Sequence, residues 1–387
     1  MAMLCSSFRG KGIDFDILAQ NGQARAGILR TPHGLIHTPV FMPVGTLGSV
    51  KGLTPEELKE IGVEIILNNT YHLYLRPGVE LIAQFKGLHR FIHWDKSILT
   101  DSGGFQIYSL AAKRKITKQG VFFYSHIDGS SHFLTPEDVI AIQEALGADI
   151  IMCFDECMPY PVDYKYAKNS LELTSNWARR CKDAHKTNQS LFGIVQGGVF
   201  LDLRRKGAEK LLEIGFDGYA IGGLCVGEPK EKTWEIIEVT NEILPFEQPR
   251  YAMGVGLPED ILEAVWRGVD MFDCVVPTRH ARTGTLFTSF GRLVIRHACY
   301  AKDERPIDEN CHCYVCRHYS RAYLRHLFLS KELLAYRLNS YHNVHFFVNF
   351  LQEIREAILK GTLAEFRKTF YERQIQNEEE LNAYDDF

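Results

Sequence analysis

Gly268-Val269-Asp270-Met271-Phe272-Asp273-Cys274-Val275-Val276-Pro277-Thr278-Arg279 is the stretch whose reading decides the fold. Its middle is a short apolar run of the kind that forms a buried strand. Yet Asp273 sits inside it, between Phe272 and Cys274, and the run ends at Pro277. A bare carboxylate is costly to bury, so this one must be paired, protonated or at work. Arg279 and Arg282 follow at once. A carboxylate with cations just beyond it suits a nucleophile beside a polyanion. A buried acid that ties down a neighbouring loop would leave the same trace.

The same construction recurs upstream. Val63-Glu64-Ile65-Ile66-Leu67 ends in Asn68-Asn69-Thr70, and Ser97-Ile98-Leu99-Thr100 ends in Asp101-Ser102-Gly103-Gly104. Asp149-Ile150-Ile151-Met152-Cys153-Phe154 ends in Asp155-Glu156, and Leu191-Phe192-Gly193-Ile194-Val195 ends in Gln196-Gly197-Gly198. Gly218-Tyr219-Ala220-Ile221 ends in Gly222-Gly223-Leu224, and Tyr251-Ala252-Met253 ends in Gly254-Val255-Gly256. Helix starts lie between the runs, with proline in the first turn: Thr54-Pro55-Glu56-Glu57, Thr135-Pro136-Glu137-Asp138 and Leu257-Pro258-Glu259-Asp260. Strands alternating with helices predict a parallel sheet. An open sheet places ligands at one or two strand ends, whereas a (β/α)8 barrel gathers all of its C-terminal ends round one mouth. Polar residues close run after run, so the expected fold is α/β, a TIM barrel.

Outside the runs, Phe15-Asp16-Ile17-Leu18 and Ala24-Arg25-Ala26-Gly27-Ile28-Leu29 flank the turn Asn21-Gly22 and read as a hairpin. Residues 111–134 read as a second hairpin laid over the barrel. Residues 344–360 read as a long helix stopped by Gly361, and Thr362-Leu363-Ala364-Glu365 is a capping box for another. Residues 371–387 form an acidic tail, and its end, Glu378-Glu379-Glu380 to Asp385-Asp386-Phe387, reads as disordered.

The 387 residues are 45% hydrophobic and 24% charged, an ordinary globular composition. No run of roughly 18 apolar residues marks a membrane span, and residues 1–14 lack a signal-peptide core. Ten cysteines without such a signal point to a reducing, cytosolic compartment, where metal binding or catalysis outweighs disulfides. Net charge is -4, but residues 277–337 carry eleven Lys/Arg against five acids, leaving that stretch +6 and the remainder -10. A local basic field on an acidic chain suits a polyanion that docks in one place.

Cys311-His312-Cys313-Tyr314-Val315-Cys316 sets three thiols within six residues. That donor set wants zinc with a fourth nitrogen ligand, and His318, His326, His342 and His345 lie downstream. Four protein ligands would make a closed, structural site. Asp101, Asp155, Gln196 and Asp273 are the polar strand ends. Two carboxylates suit glycosyl chemistry, one attacking an anomeric carbon and the other moving protons. The remaining Asp and Gln suit a heterocycle's edge, and Phe105 and Met253 suit its faces.

Together these residues resemble the tRNA-guanine transglycosylases, or queuine tRNA-ribosyltransferases. The motifs that carry the resemblance are Asn69-Thr70-Tyr71-His72-Leu73, Thr100-Asp101-Ser102-Gly103-Gly104-Phe105-Gln106, Phe154-Asp155-Glu156-Cys157, Val195-Gln196-Gly197-Gly198, Gly222-Gly223-Leu224-Cys225-Val226-Gly227-Glu228 and Asp270-Met271-Phe272-Asp273-Cys274, with Cys311, Cys313, Cys316 and His342. They span about residues 13–370. The resemblance implies an irregular (β/α)8 TIM barrel over residues 1–370, with a zinc-binding insertion at 300–345. It implies exchange of the wobble guanine of G-U-N tRNAs for a 7-deazaguanine, without cutting the RNA backbone. Asp273 would be the nucleophile, and Asp101 the general acid/base supported by Asn69. Asp155, Gln196 and the Gly223-Leu224 peptide would read the base, with Phe105 and Met253 stacking on it. Arg279 and Arg282 would contact the anticodon loop. Cys311, Cys313, Cys316 and His342 would hold one structural zinc ion per subunit.

Cys157 and Val226 resemble the bacterial pattern, so 7-aminomethyl-7-deazaguanine is the expected base, while Cys225 departs from the smaller residue of bacterial relatives. Homodimerisation is implied too, with Tyr319, Tyr323 and His326 available for it. Two other readings compete. A metal-dependent barrel hydrolase would need a His-x-His strand end, which is absent from the sequence. A non-catalytic subunit would lack Asp273 or Asp101, and both are present.

Overall fold

The computed structural model describes residues 12–110 and 113–385, with side chains as far as residue 374. Most of the segment read for a signal peptide, and the last two residues of the acidic tail, lie outside the described residues.

Eight parallel strands close into a barrel: Val40–Gly45 (β1), Ile65–Asn68 (β2), Ser97–Thr100 (β3), Ile150–Met152 (β4), Ser190–Val195 (β5), Gly218–Ile221 (β6), Arg250–Ala252 (β7) and Met271–Cys274 (β8). Met42, Leu99, Ile194 and Met271 pack inside the ring. Helices cover the outside, so these strands are apolar on both faces and read as continuous runs. Only β8 emerges at its end, at Asp273 and Cys274. Seven strands are the runs read from the sequence. β1 is not among them, because Pro43 lies inside it and proline argues against a central strand. It closes the ring on β8, with Val40 opposite Met271 and Pro43 opposite Cys274.

The expected helix starts are present. Thr54 and Thr135 each form a capping box before Pro55–Ile61 and Pro136–Leu146, and Gly62 and Gly147 end those helices in the left-handed conformation. The long helix is Leu333–Lys360, capped by Gly361. It begins well before residue 344 because Asn339, Ser340, His342 and Asn343, polar residues that blur the apolar period, are buried. Asn343 alone donates to the Pro277 and Thr285 carbonyls and accepts from the Phe287 amide. This helix packs on β1. The final helix runs Leu363–Asp385, so the tail expected to be disordered is helical across its described residues. Among the described residues no helix is long and apolar enough to cross a membrane.

The first hairpin is part of a three-stranded antiparallel sheet, Asp14–Asn21, Ala24–Thr31 and Gly34–Thr38. Its Leu29 and Ile36 join the barrel interior at the end opposite the polar mouth. Arg25 there is fully buried against Asp270, and Asp270 also accepts the Arg250 amide at 2.7 Å. Removing one member of such a pair strands the other charge. Arg25→Ala is therefore expected to lower the unfolding free energy by about 3–5 kcal/mol, read by urea denaturation. A loss under 1 kcal/mol would show the pair to be dispensable. The second hairpin is likewise a three-stranded sheet, Arg114–Ile116, Val121–Tyr124 and Ser131–Leu134. Tyr71 Oη and Tyr74 Oη sit 3.0 and 2.9 Å from His126 and His132 of that sheet and tie it over the mouth.

Candidate active site

The strand ends bring Asn69, Asp101, Asp155, Gln196 and Asp273 round one mouth. Asp101 is buried; it accepts the Asn69 side-chain amide at 2.6 Å and the Thr70 backbone amide at 2.8 Å. Burial pushes its carboxyl up to about 6 against those two donors, and the charge of Asp273 adds to the rise. Asp273 accepts Tyr251 Oη at 2.5 Å and the Gly254 amide at 2.9 Å. Burial raises its pKa too, while the two donors oppose the rise. Both donors fall on Oδ1, and among the described residues Oδ2 accepts none. Two coupled carboxylates with different surroundings are what a nucleophile and a proton carrier require.

Asp101 carries a stability cost with a definite sign. Its folded pKa of about 6 lies above the unfolded carboxylate value, so folding favours the protonated form. Stability from this group is present below pH 4 and lost as pH rises through 6. Asp101→Asn is thus expected to melt higher than the parent at pH 8, by an amount of order 1–3 kcal/mol, and to match it at pH 4. An equal difference at both pH values would refute the shift.

On the other side, Asp155 accepts Ser102 Oγ at 2.9 Å and Gln196 Nε2 at 2.7 Å, and burial again raises its pKa. The buried Gln196 Oε1 has no hydrogen-bond partner among the described residues. Space here is reserved by glycine. A Cβ on Gly104 would lie 2.7 Å from the Asp155 carbonyl, and one on Gly223, at φ +63, would lie 2.8 Å from Gln196 Oε1. Phe105 is 49% exposed, Met253 is half-buried, and Leu224 and Cys157 are buried. Burial pushes the Cys157 thiol up to about 12, so it stays neutral. Cys225 takes a left-handed φ of 55°, unusual for a side-chain-bearing residue, and Glu228 holds that turn by accepting the Cys225 and Val226 amides.

Three supporting residues were not assigned from the sequence. Thr70 and Tyr251 bond the two carboxylates. Arg204 lies on the helix Leu201–Ile214 and is fully buried behind Gln196 and Gly223. Tyr251 had one signal, a phenol within an apolar strand run. Arg204 had none, since it looks like the exposed or half-exposed charges beside it on the helix.

Arg279 and Arg282 stand on the helix Val276–Thr283, directly after β8. Both are exposed, and among the described residues neither forms an ion pair. Arg282 Nη1 donates to the Thr278 carbonyl at 2.8 Å.

The metal candidates converge. Nδ1 of His342 lies 3.9, 3.5 and 3.4 Å from the sulfurs of Cys311, Cys313 and Cys316. Metal bonds of about 2.3 Å to sulfur and 2.0 Å to nitrogen at the tetrahedral angle put S and N about 3.5 Å apart. His342 Nε2 donates to the Phe287 carbonyl at 2.7 Å, which leaves Nδ1 free as a ligand. His345 comes within reach of Cys311 alone, at 3.7 Å, and His318 is engaged by the Tyr314 carbonyl. The donor set fits a closed zinc site of three sulfurs and one nitrogen.

The family model described as queuine tRNA-ribosyltransferase matches residues 20–376. A protein of that name from Caldanaerobacter subterraneus subsp. tengcongensis is 61% identical over 360 residues, covering 92% of this chain and 96% of the relative. One from Thermoanaerobacter sp. is 61% identical over 358 residues, covering 92% and 96%. One from Halothermothrix orenii is 57% identical over 366 residues, covering 94% and 98%. Identity at this level over nearly whole chains agrees with a barrel whose mouth gathers Asp101, Asp155, Gln196 and Asp273, with Arg279 and Arg282 just beyond: the chain belongs to the queuine tRNA-ribosyltransferase family.

Proposed function

We propose that this protein exchanges the wobble guanine of tRNAs with G-U-N anticodons for 7-aminomethyl-7-deazaguanine, through a covalent aspartyl-ribosyl intermediate, within queuosine biosynthesis. It is an enzyme, a pentosyltransferase of the tRNA-guanine transglycosylase class. The observation that carries the reading is the coupled pair Asp101 and Asp273 beside the slot lined by Asp155 and Gln196.

Asp273 Oδ2 attacks C1′ of the ribose. The C1′–N9 bond breaks, its electron pair goes to guanine N9, and Asp101 supplies the proton there. Asp101, now a carboxylate held by Asn69 and Thr70, takes the N9 proton of the incoming base. That nitrogen attacks C1′ and expels Asp273. No phosphodiester is touched. Asp155, Gln196 and the Gly223-Leu224 peptide hold the base edge, Phe105 and Met253 cover its faces, and Cys157 and Val226 bound the slot. The base reaches the slot flipped out of the loop.

Arg279 and Arg282 carry anticodon-loop phosphates. Replacing both with Ala is expected to raise the KM for tRNA about tenfold and to flatten its salt dependence by about two charges; an unaltered salt slope would remove them from the interface. Cys311, Cys313, Cys316 and His342, whose ligand atoms converge, would hold one zinc ion per subunit, which would brace the insertion and take no part in the reaction. Residues 1–370 act as the catalytic body, with the zinc-binding insertion at 300–345. The exposed Tyr323 and His326, with Tyr319 stacked on Tyr323 at 5.6 Å, support a homodimer contact beside the metal site. A reduced three-thiol site supports the cytoplasm as the compartment, with no membrane partner.

The test is incorporation of radiolabelled guanine into unmodified G-U-N tRNA, followed by its displacement with 7-aminomethyl-7-deazaguanine. Label that enters and is then displaced supports the exchange. No label from folded, metal-loaded protein would sink it.

A further inference from the structure

Arg204 is the most deeply buried cation near the mouth, yet among the described residues it meets no carboxylate. Its guanidinium is 0% exposed. Nε donates to the Gly198 carbonyl at 2.8 Å, Nη1 to those of Val195 and Gly222 at 2.9 and 2.8 Å, and Nη2 to that of Gly223 at 3.4 Å. Backbone carbonyls therefore take all of its hydrogen bonds, and the charge of Glu228 favours the cation from further off. The loops are drawn tightly to it: a Cβ on Gly197 would lie 2.8 Å from the Arg204 amide. These carbonyls belong to the two segments that carry Gln196 and the Gly223-Leu224 peptide.

A trans peptide points its N–H opposite to its C=O. Holding the Gly222 and Gly223 carbonyls from behind turns the Gly223 and Leu224 N–H groups away from the guanidinium. Among the described residues neither N–H meets an acceptor, whereas the next two amides, of Cys225 and Val226, are taken by Glu228. A cation on a carbonyl oxygen also polarises the amide and strengthens its N–H as a donor. We propose that Arg204 is a positioning residue that aims the Gly223 and Leu224 N–H groups into the slot, and so sets the preference for a base with a carbonyl oxygen on the facing edge. This rests on the base-binding reading of that peptide. Arg204 touches no substrate and acts only through the backbone.

The test is Arg204→Lys in the full-length, zinc-loaded protein, which keeps the charge but cannot bond four carbonyls with a rigid fork. The variant's KM for guanine is expected to rise about tenfold, while kcat and the KM for tRNA stay within about threefold. Preference for guanine over 2,6-diaminopurine, which lacks the carbonyl oxygen, should fall by a similar factor in competition. A folded variant with parental KM for guanine and parental preference would overturn the proposal. Equal rises in KM for guanine and tRNA would do the same, since they would mark a general structural role. Asp155→Asn, run alongside, separates the two levels. If it also leaves the KM for guanine unchanged, the base-binding reading itself fails; if it raises that KM while Arg204→Lys does not, only the present inference fails. Should Arg204→Lys not fold, [15N]glycine-labelled parent protein decides. The Gly223 amide signal must move with guanine and not with 2,6-diaminopurine, and a signal that ignores guanine overturns the proposal.

Discussion

Asp273→Asn is expected to abolish base exchange, with a loss of about 10⁴-fold or more, because the attacking oxygen becomes an amide nitrogen with no nucleophilic lone pair. The fold should survive. Tyr251 and Gly254 both donate to Oδ1, and an Asn oxygen in that place accepts both. The only change is at the second oxygen. A half-buried charge whose desolvation raises its pKa disappears as well, so the melting temperature should hold or rise. Affinity for tRNA should stay near that of the parent, since the basic rim is untouched. Denatured tRNA–protein mixtures supply the sharpest reading: a covalent adduct should accumulate with parent protein deprived of free base and be absent from the variant. A variant that still turns over would move the nucleophile elsewhere, and Asp101, fully engaged by Asn69 and Thr70, would be the residue to examine next.

Cys313→Ser carries the other large effect. Cys313 is buried, its sulfur lies 3.5 Å from His342 Nδ1, and the same sulfur caps the short helix Tyr314–His318. A hard hydroxyl is a poor substitute for thiolate on zinc. Structural zinc sites contribute about 10–16 kcal/mol in small isolated fingers. Here the insertion also has apolar support, from Ile307, Val315 and Leu324 in one core with barrel residues. The expected outcome is therefore loss of bound zinc and loosening of the insertion, with the barrel still folded. Metal analysis should fall from one zinc per subunit to near none, and proteolysis should begin within residues 300–345. His342 stands on the Leu333–Lys360 helix, which packs on β1, so the melting temperature should fall as well. Full zinc content in the variant would break the assigned ligand set.

How much of this was legible in the sequence depends on the range over which each feature is encoded. Asp101, Asp155, Gln196 and Asp273 each announce themselves locally, as a polar residue closing an apolar run. Three cysteines within six residues announce a metal site in the same way. The period of the runs, and the capping boxes at Thr54 and Thr135, carry the barrel. These features needed only neighbours along the chain.

Other features exist only between distant segments. β1 carries an interior proline, and its place in the ring comes from pairing with β8, more than 200 residues away. His342 was one of four histidines until the fold set its Nδ1 among the sulfurs and its Nε2 against Phe287. Tyr251 and Arg204 look like an ordinary strand aromatic and a helix charge. Their roles come from what lies across the barrel wall: a carboxylate on the next strand for Tyr251, and four backbone carbonyls for Arg204. The sequence by itself determined which groups are present and at which strand ends, because strand and turn preferences are local. Only the tertiary structure decided which of them meet, because closing the ring brings distant loops within hydrogen-bond range and withdraws water from the charges between them.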